Sequence, residues 1–393
     1  MGVYRETAVA AARIGRRIAY ERITRPKATT RDDVPCSTSA VTAAWLTAVL
    51  CDKVDGARVS TVEVVPVSEG TNVRDRLLLG YNDAGRAAGL PPSVFTKSLP
   101  SVVTRMIGGF QGTARVEGRF FMLVRPLLDI EAPAGYFAAF DRKTYASIVI
   151  MEDLVATKHA TFCDPTTPVS KEMAEDMVDV MAALHARFYD DPVLARDHRW
   201  IAPFPRWFER GAAKMGMEQY TRKAFAVAPE VVPDDLLRRR DEVWPAALAA
   251  LAVHTAEPVG LLHSDIHIGN WYRTGGGRMG LCDWQALCRG HGSRDVAYAL
   301  STSLLPEDRR SWERDLLARY LDRLAALTGR AQEFERNFLF YRQQQVLALL
   351  MWTVTLCHSP LLPAMQPRDI SLEMIRRISM AMDDLATLDA LAG

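Results

Sequence analysis

The segment HSDIHIGN, residues 263–270, concentrates two histidines, an aspartate and an asparagine in eight positions. His263, Asp265 and His267 alternate, so on an extended segment their side chains would point to one side, as metal ligands do. Asp265 and Asn270 instead stand five positions apart, a spacing typical of loops that catalyse phosphoryl transfer. In such a loop the aspartate accepts the proton of the substrate hydroxyl and the asparagine binds magnesium. The rest of the chain has to distinguish these two chemistries.

The composition is that of a globular protein without a strong charge preference. Of the 393 residues, 49% are hydrophobic, enough to bury a large core in two domains or lobes. The 48 basic and 47 acidic residues leave a net charge of +1, which provides no field for binding nucleic acid or an acidic membrane. The six cysteines are scattered without a CxxC pair, a pattern that indicates free thiols in a reducing compartment.

Neither a secretory signal nor a membrane span is predicted. Residues 1–23 carry Arg and Glu without an apolar core, which favours an amphipathic surface helix. The longest apolar run, residues 346–357, is too short to cross a bilayer and predicts a buried helix. We therefore expect a cytoplasmic protein.

The first part of the chain predicts an antiparallel sheet with few helices. A helix is expected at residues 40–51, with its cap among residues 37–39, and a second helix at residues 113–124. A short buried strand is expected at residues 147–151. Turn-rich segments separate three strand-like runs, which predict an antiparallel meander: residues 61–67, 76–81 and 93–99.

The second part of the chain is predicted to be mainly helical. From Ser170 onward, apolar residues such as Met177, Met181 and Leu184 fall on one face of a helix. The exception follows the opening motif, where GNWYRT and RMGLCDW flank three glycines at 275–277. This pattern predicts a β-hairpin set among helices.

The predicted hairpin brings a second aspartate to the opening motif. Asp283 lies eighteen residues beyond Asp265, on the far side of the hairpin, so its ends should place Asp265, Asn270 and Asp283 around one point. A proton acceptor with an amide and a carboxylate as hard oxygen ligands suits magnesium-dependent phosphoryl transfer. Upstream, Lys97 in the strand-like VFTK could neutralise the phosphates of ATP.

At this point the sequence resembles the aminoglycoside phosphotransferase and choline kinase-like enzymes, which share the protein-kinase fold. The HGDxHxGN and IDW motifs of that family appear here as HSDIHIGN and CDW, with Ser264 in place of the usual glycine. The resemblance extends over residues 37–360 and includes SIVIMEDL as a linker strand, MAALHARF as a helix and RDVAYAL after Asp283. It implies an α+β, bilobal protein-kinase-like fold with a small antiparallel-sheet N-lobe and a large, mainly helical C-lobe.

The resemblance also implies a domain division and the cofactors ATP and Mg²⁺. Residues 1–36 would form an N-terminal helical extension, residues 37–153 an ATP-binding N-lobe, and residues 154–393 a C-lobe with the catalytic loop and substrate pocket. Asp265 would be the catalytic base, while Asn270 and Asp283 would bind magnesium.

Further roles follow from position in the family's pattern. Lys97 would contact the ATP phosphates and Glu117, on the following helix, would hold the lysine in place. His263 is expected to support the loop structurally, and Asp295 to brace it through backbone hydrogen bonds. The strand-to-strand turn that would cover the phosphates contains Ser68, Gly70 and Thr71. Backbone groups expected to meet adenine lie at Met151, Glu152 and Leu154.

The expected substrate is a small molecule with a free hydroxyl. Only eleven residues separate Asp283 from Asp295, which leaves no room for the segment that holds a peptide in protein kinases. The helix expected to line the substrate pocket, residues 337–365, contains no acid. Polycationic substrates need carboxylate partners, so this helix favours a neutral or mostly apolar alcohol. The oligomeric state cannot be inferred.

Three other functions remain open from the sequence. A choline kinase-like enzyme acting on a quaternary amine would need an aromatic cage. A nucleotide-binding pseudokinase is disfavoured because every expected catalytic position is filled. A metallohydrolase using His263, Asp265 and His267 is disfavoured because the other six histidines are isolated in the sequence.

Overall fold

The computed structural model describes residues 2–358 and 364–392, with the backbone alone described for residues 2–6. The chain divides into two compact units. The N-terminal unit comprises residues 1–127, 133–160 and 284–286, and the helical unit comprises residues 128–132, 161–283 and 287–393.

The N-terminal unit contains a five-stranded antiparallel sheet in the order β1-β2-β3-β5-β4. Its strands are β1 Val59–Glu69, β2 Val73–Tyr81, β3 Ser93–Ser98, β4 Gly135–Phe140 and β5 Ser147–Glu152. Its helices are α1 Gly2–Thr24, α2 Ala43–Leu50, α3 Asp83–Ala87, α4 Val102–Thr104, α5 Thr113–Arg119 and α6 Leu154–Lys158. The predicted meander and linker strand are confirmed, whereas β4 at the sheet edge was not predicted.

Alternation of apolar residues positions the sheet on its core. Leu77, Leu79 and Tyr81 of β2 are buried at every second position, as expected for a strand that covers a core with one face. Trp45 of α2 lies in the same core, with its ring edge-on to Phe137 of β4 at 5.4 Å between centroids. One apolar layer therefore lies between the sheet, including its edge strand β4, and α2.

The start of α2 differs from the prediction. Its cap is Thr42, whose side chain accepts a hydrogen bond from the backbone N–H of Trp45. The predicted capping residues, 37–39, instead lie in and just before a short 3₁₀ turn at Thr38–Ala40. Several serines and threonines precede the helix, and only tertiary packing selects one of them as its cap.

The predicted helix at residues 113–124 forms in two pieces. It begins as α5, after Gly112 with φ of 91°, and continues as a wide π-type turn over Phe120–Val124. Phe120 and Phe121 are buried there, and the ring of Phe120 stacks on that of Trp284 at 4.0 Å. Trp284 thus packs in the core of the N-terminal unit.

In the helical unit, α7 begins where the sequence pattern changes to helical, and the Ser170 side chain caps it by accepting a hydrogen bond from the N–H of Met173. Its helices are α7 Lys171–Ala186, α8 Pro192–Arg196, α9 Phe204–Met215, α10 Met217–Val227, α11 Asp234–Arg238, α12 Val243–Ala249, α13 Val253–Ala256, α14 Ser293–Ser303, α15 Pro306–Thr328, α16 Phe334–Leu356 and α17 Arg368–Asp384. Its short strands are β6 Thr161–Phe162, β7 Gly260–Leu262, β8 Trp271–Arg273, β9 Met279–Leu281 and β10 Cys288–Gly290.

Other sequence expectations agree with these elements. Strands β8 and β9 pair as the predicted hairpin, and α16 buries the apolar run from Val346 onward. All six cysteines are free thiols. None of the helices in the described part of the chain is long and apolar enough to cross a membrane. The predicted α+β class is confirmed.

Candidate active site

The loop that follows β7 contains the opening motif in an uncommon backbone conformation. Strand β7 pairs antiparallel with β10, and Ser264, two residues after β7, adopts φ of 67°. This left-handed region costs a non-glycine residue about 1–2 kcal/mol, which explains why glycine suits the position. The Ser264 hydroxyl forms a 2.8 Å hydrogen bond with Cys288 Sγ, an interaction that glycine could not make and that offsets part of this cost.

Asp295, in the first turn of α14, accepts two backbone hydrogen bonds from this loop. Its Oδ2 accepts from the N–H of His263 at 2.7 Å and its Oδ1 accepts from the N–H of Ser264 at 3.0 Å. His185 Nε2 lies 3.4 Å from Oδ2, and its Nδ1 lies 2.8 Å from the hydroxyl of Tyr320. Burial raises the pKa of Asp295, but these partners and nearby positive charge outweigh it, so the net pKa is lowered. A buried carboxylate thus anchors the loop.

His263 joins the two ends of the hairpin. Its Nε2 lies 2.9 Å from the carbonyl oxygen of Cys282, while its Nδ1 accepts from the N–H of Asp265 at 3.3 Å. One ring nitrogen therefore donates and the other accepts, which requires a neutral imidazole. Complete burial lowers the pKa of His263, which also favours the neutral imidazole. The histidine acts as a structural link and cannot exchange a proton without losing one of these bonds.

Asp265 and Asn270 are in direct contact. Asn270 Nδ2 donates to the backbone carbonyl of Asp265 at 2.6 Å, which leaves the Asn270 side-chain oxygen as the atom available to a cation. The Asp265 side chain retains 23% of its exposure. The Tyr298 hydroxyl donates to Asp265 Oδ1 at 3.4 Å, and His267 Nε2 lies 3.9 Å from the same oxygen. One carboxylate oxygen thus faces protein groups.

Asp283 follows at the other end of the hairpin, also with positive φ, at 64°. Its neighbour Cys282 donates its N–H to the carbonyl of Asn270 at 2.9 Å. Hydrogen bonds therefore link Asp265 to Asn270, and Asn270 to Cys282, the residue before Asp283. No group of three or more His, Cys, Asp or Glu side chains suited to a metal occurs within residues 2–358 and 364–392.

His267 and two aromatic residues surround the loop on one side. The His267 ring lies edge-on to Trp352 of α16 at 5.3 Å and 6.3 Å from the ring of Tyr298. Trp352 and Tyr298 are buried, and burial raises the pKa of Tyr298, so its hydroxyl stays protonated. The vicinity of Asp265 in the helical unit is aromatic.

The N-terminal unit contains the predicted lysine–glutamate pair. Lys97 Nζ on β3 lies 2.6 Å from Glu117 Oε1 on α5, and both residues are buried. They line a pocket together with Thr71 of the β1–β2 turn. Ser68 lies at the end of β1 and Gly70 in the turn itself.

Residues at the end of β5 have side-chain partners of their own. Met151 and Leu154 are buried, and the Glu152 carboxylate accepts from the N–H of Ala134 and the hydroxyl of Thr157. The Glu152 carboxylate is therefore engaged within the N-terminal unit.

Five polar pocket residues were missed from the sequence: Asn72, Ser98, Thr113, Ser147 and Gln285. Gln285 lies two positions after Asp283, so its place next to a motif residue was the available signal. Asn72 is buried in the β1–β2 turn, where no periodicity distinguishes it from other turn residues. Its place in the pocket wall is determined only by the fold.

Comparison with known proteins identifies the family. Residues 111–336 match the family model of the phosphotransferase enzyme family. The chain belongs to this family, which confirms the enzyme class and the resemblance inferred from the motifs. None of the curated proteins compared matches the sequence.

Several solved structures are similar to this chain at low sequence identity. Choline kinase from Cryptosporidium parvum Iowa II has a TM-score of 0.50 at 13% identity, covering 84% of this chain and 89% of its own. Spectinomycin phosphotransferase in complex with ADP and spectinomycin has a TM-score of 0.47 at 12% identity, covering 84% and 94%. Choline kinase LicA from Streptococcus pneumoniae has a TM-score of 0.44 at 15% identity, covering 83% and 94%.

Proposed function

We propose that the protein transfers the γ-phosphate of ATP, with Mg²⁺, to a hydroxyl group of a small molecule. The observation that carries this proposal is the braced loop. Asp295 holds the backbone of His263 and Ser264, and the loop then presents Asp265 beside Asn270. Cellular ATP makes the cytoplasm the expected location, and neither nucleic acid nor a membrane is a proposed partner.

Asp265 is the proposed general base. One of its oxygens faces Tyr298 and His267, and no hydrogen bond to the other arises from residues 2–358 or 364–392. That second oxygen can accept the proton of the substrate hydroxyl as the hydroxyl oxygen bonds to the γ-phosphorus and ADP leaves. A positioned base contributes about 10²–10⁴-fold to such a step.

Asn270 and Asp283 are the proposed magnesium ligands, and their chemistry fits the ion. An amide oxygen and a carboxylate are the hard donors that magnesium prefers, and the Asn270 amide is oriented by its bond to the Asp265 carbonyl. When bound, the ion neutralises negative charge on the ATP phosphates. His263 holds the loop against Cys282 and so keeps these two ligands in register.

Lys97 is the proposed phosphate ligand of the N-terminal unit, and Glu117 its positioning partner. Removing a lysine ammonium from water is costly unless a carboxylate accompanies it, and the 2.6 Å ion pair supplies that partner. Thr71 lines the same pocket, while Ser68 lies at the end of β1 and Gly70 in the adjoining turn. The backbone around Met151, Glu152 and Leu154 is the proposed adenine contact.

The proposed acceptor is a neutral or mostly apolar alcohol. In α16 and the residues after it, positions 337–358 and 364–365 contain no acid, whereas residues 359–363 lie outside the described part of the chain. Trp352 on this helix, with His267 and Tyr298, gives the vicinity of Asp265 an apolar character. A quaternary amine remains the second candidate, because aromatic rings bind such cations.

A coupled assay of ATP consumption with a panel of alcohols tests both the reaction and the acceptor. The panel should contain macrolide-like, steroid-like and small neutral alcohols beside choline and a kanamycin-like polycation. Asp265→Asn serves as the matched inactive variant. Magnesium-dependent turnover of a neutral alcohol supports the proposal, whereas preference for the polycation contradicts the proposed substrate class. Absence of turnover with every acceptor and of nucleotide binding would contradict the function itself.

A further inference from the structure

The N-terminal helix α1 contributes a buried charge to the N-terminal unit. Ala10, Ile14, Ile18 and Glu21 are buried at helical spacing on one face of α1. Glu21 Oε2 accepts from Arg105 Nη2 at 2.6 Å, and its Oε1 lies 3.3 Å from Arg105 Nη1. The Arg105 side chain is 0% exposed. A fully buried guanidinium requires such a carboxylate, because an unpaired charge cannot remain there without a large cost in free energy.

Arg105 lies in the segment that connects the two halves of the proposed phosphate site. Residues 99–112 run from β3, which contains Lys97, to α5, which contains Glu117. Arg105 Nε donates to the carbonyl of Leu99 at 2.9 Å, two residues after Lys97. We call residues 99–112 the β3–α5 connector.

The connector also forms part of the pocket wall. Leu99, Ile107 and Gly108 line the pocket beside Lys97 and Glu117. A Cβ atom at Gly108 would come within 2.9 Å of the Leu99 side chain. The two ends of the connector are therefore packed closely, and a shift at Arg105 is transmitted to the pocket rather than absorbed.

A second contact places α1 against the same connector. The guanidinium of Arg13 lies over the ring of Tyr145 at 4.9 Å. Tyr145 packs in turn on Gly109, where an added Cβ would come within 2.6 Å of it. Glu21 and Arg13 lie about two turns apart on α1. Glu21 contacts Arg105 of the connector directly, and Arg13 reaches Gly109 through Tyr145.

We propose that Glu21 is a positioning residue for phosphoryl transfer, which fixes the β3–α5 connector through Arg105 and so holds Lys97 and Glu117 in their paired geometry. The inference rests on the proposed function, in which Lys97 contacts the ATP phosphates. Glu21 and Arg105 both precede residues 111–336, the part that matches the family model. The Glu21–Arg105 ion pair therefore lies N-terminal to the segment that matches the family model.

The test measures the Kd of Mg·ATP by calorimetry, with Glu21→Gln as the variant. Glutamine keeps the shape of the side chain but removes its charge, so Arg105 loses its buried counter-ion. We expect the Kd to rise by about fivefold or more, the lower end of typical coupling between two sites. In a Lys97→Ala background the same substitution should change the Kd little, because its effect passes through Lys97.

The chain offers a matched control in the helical unit. Glu313 of α15 forms a 2.6 Å ion pair with Arg309, and both side chains are buried to a similar degree as Glu21 and Arg105. Arg309 keeps a second carboxylate partner, Asp384, so Glu313→Gln should lower thermal stability to a smaller extent and leave the Kd of Mg·ATP unchanged. A merely structural role of Glu21 would make its variant resemble this control, with lower stability and an unchanged Kd of Mg·ATP.

Each outcome decides between the two proposals. A wild-type Kd in Glu21→Gln, or an equal effect of this substitution with and without Lys97, would overturn the positioning role. If Glu21→Gln does not fold, Glu21→Asp keeps the charge but shortens its reach, and an unchanged Kd in that variant would overturn the role equally. Failure of the wild-type protein to bind Mg·ATP would instead remove the proposed function.

Discussion

Replacing Asp295 by asparagine tests the brace under the catalytic loop most directly. The two oxygens of Asp295 each accept one backbone N–H, from His263 at 2.7 Å and from Ser264 at 3.0 Å. An asparagine of the same shape has one oxygen and one NH₂ group, so one backbone N–H would face another donor. Because Asp295 is 0% exposed, water cannot satisfy either group.

The expected loss of unfolding free energy follows from the number of buried donors that would have no acceptor. The displaced backbone N–H and the new NH₂ group are two buried donors without acceptors, each costing about 1–3 kcal/mol. Asp295→Asn should therefore lower the free energy of unfolding by about 2–6 kcal/mol. Most domains are stable by about 5–15 kcal/mol, so the change should be obvious in a denaturation curve.

Urea unfolding followed by circular dichroism measures this loss at pH 7. Asp179→Asn is the control, since Asp179 makes an ion pair with Arg319 on the surface of the same unit, and exposed pairs contribute about 0–1 kcal/mol. Its stability should stay close to that of the wild type. If Asp295→Asn were no more destabilising than this control, the buried carboxylate would not be bracing the loop.

Three further results are expected. Asp265→Asn should reduce turnover by about 10²–10⁴-fold with little change in Mg·ATP affinity; wild-type turnover would exclude Asp265 as the base. Lys97→Ala and Glu117→Ala should be non-additive in Mg·ATP affinity, because the glutamate acts through the lysine; a double variant that shows the product of both losses would separate them. Burial lowers the pKa of His254 and of His291 to about 3 from 6.5, so below pH 6.5 the unfolded chain binds more protons. The free energy of unfolding is therefore not lowered by these histidines above pH 6.5. It falls as the pH drops below this value, by about 4 kcal/mol for the two histidines together between pH 7 and pH 5. Urea unfolding at both pH values measures it, and equal stability at pH 5 and pH 7 would contradict neutral burial.

Local patterns in the sequence were sufficient for several elements of the fold and for the catalytic motif. Helix α7 follows Ser170, where the helical pattern was predicted to start, and the glycines at 275–277 join β8 to β9. These features depend on a few adjacent residues whose backbone preferences and hydrogen bonds are local. The spacing of Asp265, Asn270 and Asp283 could be interpreted for the same reason, because a short hairpin necessarily returns to its starting point.

Contacts between distant residues were decided by the tertiary structure. The Asp153 side chain, just before α6, forms an ion pair with Arg76, 77 positions away, and accepts a hydrogen bond from Ser93. Glu21 and Arg105 are 84 positions apart. Nothing in the sequence near either partner distinguishes them from ordinary surface charges.

Local and long-range features differ in predictability because they depend on different lengths of chain. Periodicity, caps and turns express the conformational preferences of up to about a dozen residues, and so the sequence by itself determined the helices, the hairpin and the motif. A buried ion pair or a polar pocket residue such as Asn72 exists only when packing removes water from it. Which charges and amides lose their water depends on how whole elements pack, and that was decided by the tertiary structure alone.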